Sequence, residues 1–427
     1  MIRFAKRLIG VAACIVVALV LVRFGPTLWV RIFGGGNTQW ISERFSETLR
    51  EKNELVVYEG EILGVVPKTC LPNYGEFYEK RYFAPAPQSN GVVELLGKTV
   101  PFGTNLLFTC QNMPEFCFGV EICEDLWVPQ PPSSRHAQAG AAIVLNLSAS
   151  DEVAGKAAFR RELVCSQSAR LLCGYLYADA GEGESTGDLV FSGHCMVAEN
   201  GQLLSQTGPF AGGMAVSEID LTRLWHERRR MNTFPVKELE GYEQVLFDMK
   251  AGKAPLTREF STRPFIPAGQ EERAVRCGEI LRMQAAGLKK RVAHTGAKTL
   301  VVGISGGLDS CLALLVAVRA MDLLGRDRKD IIAVTMPGLG TTSRTKNNAE
   351  QLCEHLGVTL RCVDISSAVE GHFADIGHDP RNQDVVYENA QARERTQVLM
   401  DIANGQGGLV VGTGDLSELA LGWATYN

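Results

Sequence analysis

The chain has 427 residues, longer than one typical domain, with 45% apolar and 7% aromatic residues, enough to build two or three cores. Its formal charge of −5 excludes a general nucleic-acid binder, which needs cationic surface to displace counterions, but leaves room for basic pockets around phosphates. The twelve cysteines include no CxxC pair and no Cys/His run at zinc spacing, a scatter that fits a reducing compartment, the cytoplasm by default, better than a disulfide framework.

Arg3, Lys6 and Arg7 precede an unbroken apolar run over residues 8–22, followed by Arg23 and a second apolar stretch at 28–30. A basic start before a short apolar run reads as a signal or anchor. The run falls short of the roughly 20 residues that cross a bilayer. Gly34, Gly35 and Gly36 then lead into polar sequence without a clear cleavage site, so membrane attachment is disfavoured.

From about Glu59 to Asp220, short apolar runs at 105–109, 116–122, 141–146 and 171–177 alternate with turn residues and read as strands. Asn200-Gly201 marks a hairpin between 195–198 and 203–204. A charged helix is expected over 220–230, and Pro255, Pro264 and Pro267 mark a linker. Beyond it the pattern becomes regular β-α alternation: strands at 299–304, 331–336, 360–363 and 409–411, and helices at 309–324, 343–355 and 388–403. That is an open, doubly wound sheet, which binds ligands at the carboxyl ends of its strands. The organisation expected is an unassigned segment 1–57, a first α/β domain 58–245, a linker 246–275 and a second α/β domain 276–427.

The strongest motif is Gly303, Ile304, Ser305, Gly306, Gly307, Leu308, Asp309 and Ser310, leaving a strand and entering a helix. Adjacent glycines let backbone approach an anion, and the helix N-terminus offers unpaired N–H groups. Ser305 and Ser310 add hydroxyls, and Asp309 offers a carboxylate for Mg²⁺. The lysine of a Walker loop is missing. Asn389 and Arg393 lie four apart on one helix face, with Gln391 and Arg395 flanking. Thr413 and Glu418 follow the strand at 409–411 through a second glycine turn. In the first domain, Cys123 ends an apolar strand, where a thiol is placed as a nucleophile needs to be. Lys68 is the cation able to lower its pKa or hold an oxyanion, with Glu76 and Glu79 beyond.

The Ser-Gly-Gly-Leu-Asp-Ser loop resembles that of the ATP pyrophosphatase superfamily. With the stretches at 387–395, 411–418 and 421–426 it closely resembles the NAD synthetase family. That resemblance implies that the loop Gly303–Ser310 and Thr413 bind ATP, that Asp309 and Glu418 hold Mg²⁺, and that Asn389, Glu418, Trp423, Ala424, Thr425 and Tyr426 line the deamido-NAD site. The stretches at 68–74, 79–83, 121–125, 146–150 and 181–186 resemble the nitrilase-like amidase fused to such synthetases. By that resemblance Cys123 is the nucleophile, Lys68 stabilises the oxyanion, and Tyr74, Ser150 and Lys156 sit at the L-glutamine positions, with Glu79 a supporting carboxylate. The fold implied is an incomplete nitrilase-like α-β-β-α sandwich followed by an incomplete adenine nucleotide alpha hydrolase-like domain, in a homo-oligomer. The reaction implied is amidation of deamido-NAD with ammonia from glutamine and ATP cleaved to AMP and pyrophosphate.

The triad glutamate of the amidase family, well upstream of the lysine, has no counterpart in residues 1–57. The chain therefore reads as truncated at both ends, by a wrong start or shifted frame. An inactive fragment or membrane-tethered remnant is the alternative, and a GMP or asparagine synthetase is disfavoured by the absence of their glutaminase motifs.

Overall fold

The computed structural model describes residues 20–24, 27–31, 53–181, 189–234, 240–249, 258–339 and 343–422. It divides into two compact units, Met1–Phe260 and Ser261–Asn427. The division falls inside the linker expected at 246–275. That segment begins on the last residues of strand Glu243–Phe247 and ends on the first turn of helix Gln270–Thr295.

The first unit is built on a seven-stranded sheet in the order Gln202–Gln206, Met196–Glu199, Gly174–Asp179, Ile143–Ser148, Cys117–Ile122, Leu106–Cys110 and Glu243–Phe247. Three central strands, Cys117–Ile122, Ile143–Ser148 and Gly174–Asp179, are parallel and buried at every position, as their apolar composition requires. Their side chains alternate between faces. Phe118, Val120, Ile143, Leu145, Leu147, Leu176 and Ala178 join a core with Val66, Leu106 and Phe108. Val144, Tyr175 and Tyr177 face the opposite way, into a core with Leu126, Ala137, Val164 and Leu171 from the helical side. Helices Pro132–Ala139 and Lys156–Leu171 form that outer layer. The inner layer is the four-stranded sheet Asn53–Tyr58, Glu61–Pro67, Lys98–Phe102, Gly91–Leu95. Gly64 lets it approach closely, since a Cβ there would lie 2.9 Å from the Phe108 ring.

The opening segment is partly described. Strand Thr27–Arg31 pairs with Val20–Phe24 on one side and Val216–Asp220 on the other, so the second apolar stretch is a sheet strand. Residues 1–19 lie outside the described residues. No helix among the described residues is long and apolar enough to cross a membrane.

The second unit has a four-stranded parallel sheet in the order Thr359–Cys362, Ile331–Thr335, Leu300–Gly303, Leu409–Val411. Val292, Leu314, Ala349 and Cys353 from helices Gln270–Thr295, Leu308–Leu324 and Ser343–Leu356 pack on one face with Leu300 and Val302. Ala403 of helix Val385–Gly405 packs on the other with Val301, Ile332 and Val334. Helices on both faces make this the doubly wound sheet expected. The strand expected over 171–177 begins three residues late, at Gly174. Leu171 closes helix Lys156–Leu171, and Leu172 adopts the left-handed conformation (φ +46°) that ends it.

Candidate active sites

Strand Cys117–Ile122 delivers Cys123 to the carboxyl edge of the central sheet, where a turn Cys123–Leu126 begins. Cys123 has φ +49°, a left-handed conformation costing a side-chain-bearing residue about 1–3 kcal/mol unless the surroundings enforce it. Two side chains, Asp125 and Asn146, enforce it here. Asp125 accepts hydrogen bonds from the Ile122 N–H (2.9 Å) and the Cys70 N–H (2.7 Å). Asn146 Oδ1 accepts from the Cys123 N–H (3.2 Å).

The Asp125 bonds explain how Lys68, remote in sequence, reaches this turn: strand Glu61–Pro67 ends at it, and the next residues are stapled to the cysteine turn. The Lys68 side chain has no solvent exposure, and its Nζ donates to Glu79 Oε2 at 2.7 Å. Pairing of this kind is what a buried ammonium requires. Burial pushes the Asp125 carboxyl up, opposed by the Ile122 and Cys70 N–H groups and by the charge of Lys68. Burial, and next the Asp125 charge, push the Cys70 thiol up to about 12, so this second nearby thiol stays protonated. Tyr74, exposed, donates its hydroxyl to Glu124 Oε1 at 2.6 Å, and that bond pushes the phenol up to about 12.

Ser150 is buried, its N–H donating to Asp179 Oδ1 at 3.0 Å. Lys156 starts its helix, pairs with Asp151 Oδ1 at 2.6 Å and lies over the Trp127 ring. Cys123, Lys68 and Glu79 are thus tied to one turn, while Ser150 and Lys156 follow the next strand of the same sheet. The glycine-rich stretch at 182–186 lies outside the described residues. Sequence reasoning missed the structural role of Asp125, Asn146 and Asp179. Their signal was a polar residue within or just beyond an otherwise apolar strand.

In the second unit, Gly306 at φ +82° turns the chain from strand Leu300–Gly303 into the seventeen-residue helix Leu308–Leu324, whose N-cap is Gly307. The Gly307 N–H donates to Ser305 Oγ and the Ser305 N–H to Ser310 Oγ, both at 3.3 Å, while Ser310 Oγ donates to the Gly307 carbonyl at 3.0 Å. Ser310 is buried, and its hydroxyl is committed to the loop's own shape. Ser305 and Asp309 are exposed at the helix mouth. Thr413 follows strand Leu409–Val411, the hydrogen-bonded neighbour of Leu300–Gly303, so it stands at the same carboxyl edge as the loop. On the opposite neighbour, Met336 follows Ile331–Thr335, and its carbonyl accepts from Arg395 Nε at 3.5 Å.

Asn389 is exposed on helix Val385–Gly405, which Asp384 caps through the Val386 and Tyr387 N–H groups. Glu418 forms a reciprocal capping box with Asp415, its Oε2 accepting from the Asp415 N–H at 3.1 Å. Trp423, Ala424, Thr425 and Tyr426 lie outside the described residues. Among the described residues no three His, Cys, Asp or Glu side chains are grouped so as to hold a metal ion. Mg²⁺ needs only one or two carboxylates beside substrate phosphates and water, so exposed Asp309 at a phosphate-shaped loop suits that ion.

Two family comparisons agree with this division. The carbon-nitrogen hydrolase family matches residues 28–227, and the NAD synthase family matches residues 280–427. The first match reaches back into the segment that sequence reasoning left unassigned, where strand Thr27–Arg31 joins the fold. The class is therefore a carbon-nitrogen hydrolase domain followed by an NAD synthase domain. Among relatives, the glutamine-dependent NAD(+) synthetase of Mycobacterium tuberculosis (strain H37Rv) is 46% identical over 386 residues, 87% of this chain and 57% of the relative. Those of Mycobacterium leprae and Thermotoga maritima are 43% and 31% identical, again over 87% of this chain, covering 57% and 59% of the relatives. The chain is similar to glutamine-dependent NAD(+) synthetases across both domains, and it spans about three fifths of the length of the relatives it matches.

Proposed function

We propose that the first unit hydrolyses glutamine at Cys123 and that the second unit uses the ammonia to amidate deamido-NAD, with ATP cleaved to AMP and pyrophosphate. The observation carrying this reading is the coexistence of a left-handed cysteine turn stapled to a buried lysine with a Ser-Gly-Gly-Leu-Asp-Ser loop. In the first unit, Cys123 Sγ attacks the carboxamide carbon of glutamine, and Lys68 Nζ stands by the oxyanion that forms. Collapse expels ammonia and leaves a glutamyl thioester, which water cleaves to glutamate. Tyr74, Ser150 and Lys156 hold the amino-acid end of glutamine, and Glu79 keeps the Lys68 ammonium in place.

In the second unit, the Gly303–Ser310 backbone and the helix N-terminus take the phosphates, and Thr413 contacts ATP. Asp309 and Glu418 would hold Mg²⁺, which would supply charge neutralisation at the phosphates. Asn389, Glu418 and the segment 423–426 take deamido-NAD. The scattered thiols support a reducing cytoplasm, and a homo-oligomer that shields ammonia suits a two-site reaction.

The test of the first step is glutamine hydrolysis by the 427-residue chain and its Cys123→Ala and Lys68→Met variants. Loss of at least a hundredfold in both is expected. Hydrolysis undiminished in Cys123→Ala contradicts the assignment of the nucleophile.

A further inference from the structure

Strand alternation brings a buried polar group of unusual order to the helix-facing side of the central sheet. Residues Glu121 and Asn146 are direct partners across strands Cys117–Ile122 and Ile143–Ser148, and Tyr175 lies on the next strand. All three are essentially without solvent exposure, in a layer otherwise filled by Val144, Val164, Leu126 and Ala137. A carboxyl group there is expensive to bury, so its partners are informative.

The hydrogen bonds among them run in one direction. The Cys123 N–H donates to Asn146 Oδ1 (3.2 Å), Asn146 Nδ2 donates to the Tyr175 hydroxyl oxygen (3.1 Å), and the Tyr175 O–H donates to Glu121 Oε1. Ser148 Oγ also donates to Asn146 Oδ1 (2.9 Å), and the Ser133 N–H donates to Glu121 Oε2 (2.8 Å). The chain ends on Glu121, which accepts at both of its oxygens, and burial pushes its carboxyl up to about 7. If Tyr175 lost its acceptor, its hydroxyl would be free to turn toward Asn146. The Asn146 amide would then be free to rotate its NH₂ toward the Cys123 N–H, setting donor against donor.

We propose that Glu121 is a positioning residue for Cys123: acting through Tyr175 and Asn146, it fixes the acceptor that holds the cysteine backbone in its left-handed turn. The proposal rests on the reading of Cys123 as the glutamine nucleophile. Asp125 holds the turn from one side through the Ile122 N–H, and the Glu121 chain holds it from the other through the Cys123 N–H. The thiol's direction relative to Lys68 then depends on a carboxylate that touches neither substrate nor sulfur.

The 427-residue chain and its Tyr175→Phe and Glu121→Gln variants test this in two assays. One is the rate of Cys123 alkylation by iodoacetamide, read by peptide mass spectrometry; the other is kcat and KM for glutamine hydrolysis. Tyr175→Phe, which removes one hydroxyl and keeps the ring packing, is expected to slow alkylation at least fivefold. It lowers kcat at least tenfold with KM changed less than twofold. Glu121→Gln is expected to fall between it and the wild type, because the carboxamide oxygen still accepts from Tyr175. A folded Tyr175→Phe protein with wild-type alkylation and kcat overturns the proposal. So does an equal loss in Leu107→Ala, whose buried side chain belongs to a separate apolar cluster outside this chain of bonds. A wild type that is alkylated at Cys123 but hydrolyses no glutamine counts against the amidase reading alone, and the order of alkylation rates across the variants still decides the positioning role.

Discussion

Asp125 shows how one side chain organises the turn at Cys123. It accepts from the backbone on both sides of a chain crossing, joining the strand that ends at Lys68 to the turn that begins at Cys123. Replacing it with alanine strands the buried Ile122 N–H and the half-buried Cys70 N–H, each costing up to about 1–3 kcal/mol. Asp125→Ala should therefore lower stability by roughly 2–5 kcal/mol in urea unfolding and slow Cys123 alkylation; a variant as stable as the wild type would show that the staple carries little. His136 illustrates a different constraint. It is fully buried, with Nδ1 2.8 Å from the Tyr242 hydroxyl and Nε2 3.1 Å from the Val120 carbonyl, and burial lowers its pKa to about 4. The unfolded state binds a proton near 6.5 and the folded state only near 4, so the unfolded state holds more protons between those values and stability rises with pH. Acidification from pH 6.5 to 4 should cost about 3 kcal/mol through this residue. The wild type should lose that much more than His136→Gln over the same interval in denaturant titrations; parallel pH profiles would refute it.

Elements were legible in proportion to how far local pattern and tertiary demand agreed. Apolar runs announced the three central parallel strands, because a strand buried on both faces carries apolar residues throughout. The same logic misread residues 171–173, where apolar side chains close a helix instead. Helix Ser366–Ile376 went unread, although Val369 and Phe373, at helical spacing, are the residues it buries. Helix Gln270–Thr295 also went unread, although Leu281, Ala285, Leu288 and Val292 stand at helical spacing and Ala285 and Val292 are buried. The glycine loop was legible at residue level because its chemistry and its geometry coincide at Gly306. Gly306→Val places a β-branched side chain at φ +82° and should weaken ATP binding at least tenfold while leaving glutamine hydrolysis intact. Unchanged ATP affinity in calorimetry would remove the loop from the nucleotide site.

At the scale of the molecule, the change from a mixed, largely buried sandwich to regular β-α alternation marked two units, and the structure divides at Phe260 and Ser261. The two candidate sites were legible because each sits on a turn at a strand's carboxyl end: Cys123 after Ile122 in one unit, Ser305 to Gly307 after Gly303 in the other. What the sequence hid was the support around the cysteine turn, where Asn146 bonds Cys123 from the neighbouring strand and Asp125 also ties the turn to the distant Cys70. The same division should make the two proposed activities separable by mutation. The most direct test is NAD formation from deamido-NAD, ATP and Mg²⁺, with glutamine or ammonium as nitrogen donor, in the 427-residue chain and its Cys123→Ala and Asp309→Ala variants. The prediction is turnover with both donors in the wild type, with ammonium alone in Cys123→Ala, and with neither in Asp309→Ala. Glutamine-dependent NAD formation surviving in Cys123→Ala, or no NAD formation by the wild type with either donor, would contradict it.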